Sequence, residues 1–242
     1  MRPWNWLAIG WIWLGITGNG YAAEEITLST ADGVTLSGTY SPPNGQKAAG
    51  VILWHDLDRD RSDWEALAEA LHREGYAVLA MDLRGHGKST RQGQGTLDRK
   101  AMSEAELAKA VQDVQAAYQY LTGREEIAKD RIAMVGAGWG ANLALRFAAR
   151  ERQVKTLVLL SPALSIQGLQ ALEDMDRYGE RPAFLAASLK DSEAAEAVRQ
   201  LEKAARGERM VKVYEDAGRG AEMLKKASDL IDLIVDWLDD TL

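Results

Sequence analysis

The chain has 242 residues, 46% of them hydrophobic, enough to bury the core of one large α/β domain. A formal net charge of −7 argues against a nucleic-acid backbone as partner, since phosphate binding needs a basic surface. The absence of cysteine excludes disulfides, thiolate metal sites and a cysteine nucleophile, and with only His55, His72 and His86 no metal site or cofactor is expected.

The first 22 residues read as a separate segment. Arg2 precedes an apolar run from Trp4 to Ile16 that carries Trp4, Trp6, Trp11 and Trp13, and Gly20-Tyr21-Ala22-Ala23 supplies small residues for cleavage. This is the layout of a secretory signal peptide, and its apolar part is too short for a spanning helix. The expectation is therefore a periplasmic or secreted protein, cleaved near Ala22, with no membrane span after cleavage and one domain over residues 23–242. An uncleaved amphipathic anchor is the alternative.

From Glu25 to Tyr40, two alternating runs flank Asp32-Gly33, a turn pair suited to a tight antiparallel hairpin. Pro42-Pro43-Asn44-Gly45 then breaks the chain, and strands and helices alternate. Apolar runs predict strands over Gly50–Trp54, Tyr76–Asp82, Arg131–Val135, Val154–Leu160, Pro182–Ala187 and Met210–Tyr214. Continuous apolar strands suit a sheet covered on both faces. Helices are predicted over Arg61–Arg73, Ser103–Leu121, Gly140–Arg150, Gln167–Arg177, Ser192–Ala205 and Leu224–Leu238, with Ser103 and Glu106 spaced as a capping box. The order implies an α/β fold with a mostly parallel central sheet, helices on both faces and an N-terminal hairpin. No segment is long enough for a large lid; Gln92–Arg99, the longest glycine-bearing loop, is expected to shape a pocket edge.

The chemistry-bearing pattern is Gly136-Ala-Gly138-Trp-Gly140, an apolar strand running into a glycine-rich turn and a helix. It matches the strand–turn–helix element Gly-x-Ser-x-Gly in all but its middle residue. Three further landmarks are Trp54-His55-Asp56, Asp82-Leu-Arg-Gly-His-Gly-Lys-Ser89 and Asp216-Ala-Gly-Arg-Gly220. In this order, they make everything after residue 24 resemble the α/β-hydrolase family, especially compact dienelactone hydrolases and small bacterial esterases.

The resemblance implies roles position by position. A serine at the sharp turn would attack a carbonyl, a histidine would take its proton, and an acid would orient the histidine. The nucleophile position is Gly138, which has no side chain to attack with. The acid position is Asp191 and is retained. The base position is Arg219, which stays protonated and cannot act as a base. The oxyanion hole is expected from the backbone N–H of Trp139 and one from Asp56 or Leu57, with Asp56 standing where family members often have glycine. An Arg219–Asp191 ion pair is expected to replace the histidine–aspartate contact.

These substitutions predict a pseudoenzyme that binds a small anionic or ester-like ligand, or a protein partner, through the old cleft, with Arg219, Trp139 and His55 as candidate contacts. Placing serine at 138 and histidine at 219 together is expected to restore some esterase activity. Two alternatives stay open. One is an active hydrolase with a non-standard catalytic set, for which Ser89, Ser161 and Ser188 are candidate nucleophiles. The other is a dinucleotide binder through Gly136-Ala-Gly138, although the strand ending in Ser161-Pro162 lacks the acid that fingerprint calls for.

Overall fold

The structure, a computed structural model, describes residues 23–45 and 47–242. The signal-peptide reading of residues 1–22 falls outside the described residues. Strand β1 (Glu24–Ser29) and β2 (Val34–Ser41) form the hairpin, paired antiparallel from Glu24 opposite Tyr40 to Ser29 opposite Thr35. Gly33 turns it with φ +81°, a conformation that suits glycine. Asp32 does more than turn the chain: its carboxylate takes an ion pair from the buried Arg84.

The central strands are β3 (Ala48–Trp54), β4 (Ala77–Met81), β5 (Ile127–Ala137), β6 (Val154–Leu160), β7 (Ala183–Ser188) and β8 (Arg209–Tyr214). Their spatial order is β8-β7-β6-β5-β3-β4-β2. Every pair from β8 to β4 is parallel, and β2 joins β4 antiparallel. Side chains of one strand alternate between the two faces. Ile52 and Trp54 enter one core layer, while Val51 and Leu53 enter the other.

Helix α1 (Glu65–Arg73) and the last helix cover one face, where Trp64, Leu67, Leu71, Leu230, Ile234 and Trp237 are buried together. The opposite face is covered by α2 (Val111–Thr122), α3 (Trp139–Ala148), α4 (Ala171–Tyr178) and α5 (Ser192–Ala204), through residues such as Val114, Leu143, Met175 and Val198. The last helix, α6, spans Leu230–Thr241.

Several element boundaries differ from the sequence expectation. The predicted 167–177 helix starts only at Ala171, because Ser165–Ile166 and Leu169–Gln170 pair as a short hairpin turned at Gln167 and Gly168, both at positive φ. The predicted 224–238 helix is two pieces, Met223–Lys226 and α6, separated where Ala227 turns extended. The predicted 103–121 helix opens with the capping box at Ser103, in which Ser103 Oγ accepts from Glu106 N and Glu106 accepts from Ser103 N at 2.8 Å. A 3₁₀ turn over Ala108–Ala110 then interrupts it before α2. Within the 92–99 loop, Arg91–Gln92 pairs with Gly95–Thr96, and Arg99 reaches Asp58 at 3.1 Å, tying this loop to the segment that follows β3.

Candidate functional site

Four strand ends converge on one point. His55, Asp56 and Leu57 follow β3, Gly138 follows β5, Asp191 lies just past β7, and Arg219 lies in the segment after β8. All are at the carboxyl ends of parallel strands, where α/β sheets place their clefts.

The turn at Gly138 has φ +50° and ψ −117°, a region that side chains other than glycine enter only under strain. Its backbone is held by Gly138 N donating to Leu160 O at 2.9 Å. Gly140 is fixed by packing: a Cβ there would run into the carbonyls of Trp54 and His55. Strand, turn and helix are therefore held in one tight geometry with no side chain at position 138.

The space beside Gly138 holds the carboxylate of Asp56. A Cβ built on Gly138 would come within 3.0 Å of Asp56 Cγ and of both its oxygens, a separation that real Cβ atoms essentially never show. Asp56 Oδ1 accepts from Trp139 N and from Leu57 N, each at 2.8 Å. Asp56 Oδ2 accepts from Arg219 Nε at 3.1 Å. Trp139 opens α3, so the positive end of that helix also favours the carboxylate.

Arg219 makes its second contact to Asp191, Nη1 to Oδ2 at 3.1 Å. Burial alone would lower the affinity of the guanidinium for its proton; the charges of Asp56 and then Asp191 outweigh it and raise the pKa above the ordinary arginine value. The group is a permanent cation between two carboxylates. Its side chain is 44% exposed, whereas those of Asp56 and Asp191 are 15% and 14% exposed. Asp191 also caps α5, accepting from Ala194 N.

These placements correct three sequence expectations. Asp56 fills the expected oxyanion position as an acceptor through its side chain, and the Leu57 and Trp139 N–H groups donate to it. Its acidic side chain marked it as a departure in sequence; its inward aim depends on the fold. His55 is not available to a ligand: it is fully buried, Leu83 N donates to its Nε2 at 2.9 Å, and its Nδ1 lies 2.7 Å from Asp56 O. Burial lowers its pKa to about 4, so the ring is neutral near neutrality. The Trp139 indole is also fully buried, and only its backbone N–H faces the site.

The remaining candidates do structural work. Ser161 Oγ accepts from Gly220 N at 2.9 Å, Ser188 Oγ from Ala217 N at 3.0 Å, and Ser89 Oγ from Ser37 N at 2.9 Å, and all three serines are fully buried. His86 packs between His55 and Trp139, with ring centroids 5.0 and 5.8 Å away, and is 5% exposed. The Asp82–Ser89 landmark is a brace. Asp82 accepts from the backbone N–H groups of Arg61 and Lys88, and Arg84 pairs with Asp113 and Asp32. Among the described residues, no group of three or more His, Asp or Glu side chains is placed to hold a metal ion. No described helix is long and apolar enough to cross a membrane.

Comparison with known proteins agrees with this architecture. An uncharacterised protein of Mycobacterium tuberculosis (strain ATCC 25618 / H37Rv) is 34% identical over 152 residues, covering 62% of this chain and 50% of its own length. The chain spans about half the length of the curated relatives it matches. Among solved structures, an acetyl xylan esterase from Paenibacillus sp. R4 superposes with a TM-score of 0.76 at 17% identity, over 96% of this chain and 88% of that one. A dienelactone hydrolase from Anabaena variabilis ATCC 29413 gives 0.68 at 19% identity, over 91% and 99%. At such identities the likeness concerns the fold. The family model described as serine aminopeptidase, S33, matches residues 45–216, well over half of the sequence, and the chain belongs to this family of α/β-hydrolases.

Proposed function

We propose that this protein is a non-hydrolytic member of its family, a pseudoenzyme that uses the hydrolase scaffold for recognition rather than turnover. One observation carries the reading. The Asp56 carboxylate fills the space a nucleophile side chain on Gly138 would need, and it also takes both backbone donors of the oxyanion hole. A substrate carbonyl entering that hole would have to displace a hydrogen-bonded, ion-paired anion. The base position holds Arg219, whose raised pKa removes any role in proton abstraction.

The half-exposed Arg219 side chain at the rim is the group we assign to ligand or partner contact. Asp56 and Asp191 offset its charge from below, so the native centre favours an ester-like or protein partner reaching the rim over an anion driven into the hole. The same carboxylate weakens the dinucleotide reading. A pyrophosphate at the N-terminus of α3 would face Asp56, which already accepts the Trp139 N–H. Incubation of the purified protein with short-chain nitrophenyl esters tests the proposal. Hydrolysis at the buffer rate is expected, and protein-dependent turnover that survives repurification would overturn it.

A further inference from the structure

The central sheet ends at β8, which pairs on one side only, with β7. At the two ends of that pairing Ala183 N donates to Glu208 O and Leu189 N donates to Tyr214 O. Even-numbered residues therefore turn their main chain toward β7, while Arg209, Val211 and Val213 turn theirs outward. Open N–H and C=O groups on an edge are a template for a further strand. Edges are commonly blunted by proline, by bulges or by a free charge. Strand β8 has no proline, and its register with β7 is unbroken from Arg209 to Tyr214. Its central charge is taken up by its own molecule: Lys212 Nζ lies 2.8 Å from Asp229 Oδ2 and 5.3 Å from the centre of the Tyr214 ring. Large apolar side chains are also exposed here, Val213 at 37% and, beside the strand end, Leu189 at 51%.

We propose that β8 is a self-association surface, pairing antiparallel with β8 of a second copy about a two-fold axis at Lys212. Parity limits the registers. Only odd-numbered residues offer main-chain groups outward, so odd must meet odd, and the axis must pass through a residue. A centre at Lys212 sets Val211 against Val213 and Met210 against Tyr214 of the second copy, each pair on one face of the joined sheet. Beyond them Arg209 meets Glu215. Both side chains are exposed, and neither has a partner among the described residues. Neighbouring registers lose this match. Centres at Met210 or Val211 oppose Arg209 to a valine, and a centre at Val213 opposes Val211 to Glu215. The cost of the favoured register is Lys212 facing its own copy, which the Asp229 carboxylate beside each lysine offsets. Each copy uses its single β8, so the assembly closes at two.

Sedimentation velocity of the purified protein across a concentration series tests this. A single edge pairing is a small interface, so monomer is expected at about 1 µM and dimer at about 1 mM. Arg209→Glu places like charges together in both symmetric pairs and should weaken dimerisation about tenfold, as should Glu215→Arg. The double exchange, Arg209→Glu with Glu215→Arg, should restore it. Val213→Pro removes an outward N–H that the pairing with β7 does not use, and should abolish the dimer. If that variant does not fold, the charge exchanges, made at exposed positions, carry the test alone. A protein that stays monomeric at about 1 mM would overturn the proposal. So would a dimer indifferent to both single reversals, a double exchange no tighter than either single, or growth into larger species. Ester turnover by the native protein is untouched by any of these results, so the non-hydrolytic reading stands or falls separately.

Discussion

Asp56 and Gly138 cannot both carry ordinary side chains: the carboxylate of one lies where the Cβ of the other would be. The glycine at the turn and the acid in the loop after β3 are therefore one structural fact. Arg219 completes it by bridging Asp56 to Asp191.

This coupling changes how activity would be rebuilt. Gly138→Ser together with Arg219→His, the repair that sequence suggests, sets the new side chain against the Asp56 carboxylate and removes the cation paired with it. It should remain inert toward nitrophenyl esters. The triple variant with Asp56→Gly frees the hole and is the one expected to gain measurable turnover, since nucleophile, base and electrostatic stabilisation act as a unit. A hydrolytic double variant would show that Asp56 moves aside without difficulty.

Gly138→Ser alone should be destabilising. A side chain at φ +50° and ψ −117° costs about 1–3 kcal/mol in backbone strain, and the collision with Asp56 adds to it. Chemical denaturation of the single variant measures the sum. Pairing it with Asp56→Gly should recover part of the loss, and simple additivity of the two changes would show that they do not interact.

The extent of this arrangement visible in sequence is uneven. The strands, the hairpin at Asp32-Gly33 and the capping box at Ser103 announce themselves by local spacing, and each is observed. The correspondence of Gly138, Asp191 and Arg219 to triad positions rests on motif order along the chain. What sequence does not reveal is the direction of the Asp56 side chain. Its contacts lie at residues 57, 139 and 219, and only the folded sheet brings the last two to it. The late start of α4 was hidden for a related reason: Gln167 adopts φ +47°, a conformation no propensity assigns to glutamine. His55, a candidate contact by its place beside Asp56, is withdrawn from the site because Leu83 N and the Asp56 carbonyl claim both ring nitrogens.

Arg219→Ala should leave Asp56 and Asp191 without their shared cation. The Arg219 side chain is 44% exposed, so the loss is that of a solvent-screened network, about 1 kcal/mol, and should shrink at high salt. Urea unfolding at two ionic strengths measures it. A loss insensitive to salt would indicate that packing of the side-chain stem, rather than charge, is what Arg219 contributes.

Ser161 offers a test of the structural role assigned to the buried serines. Its Oγ accepts from Gly220 N within the segment that carries Arg219. Ser161→Ala should cost about 1–3 kcal/mol by stranding that buried N–H. Chemical denaturation measures the loss, and an unchanged stability would show that the Ser161 hydroxyl does not hold that segment.

His55 makes stability depend on pH. Its folded pKa, about 4, lies below the ordinary value of 6.5 because burial disfavours the charged ring. The unfolded chain then binds more protons between these values, so stability is full above about pH 6.5 and falls as pH drops toward about 4. Asp113, raised to about 6 by burial, acts in the opposite sense below that pH. The comparison is therefore between the native protein and His55→Gln, whose stability difference should narrow as pH falls; a constant difference would mean that His55 protonates as easily folded as unfolded.

The most direct test of the proposed non-hydrolytic reading is intact mass spectrometry of the unaltered protein after exposure to a fluorophosphonate probe. No mass increase is expected, because no described residue places an activated hydroxyl beside Gly138, where the Asp56 carboxylate already sits. A stoichiometric adduct mapped to any side chain lining the cleft would contradict the non-hydrolytic reading and identify the residue it overlooks.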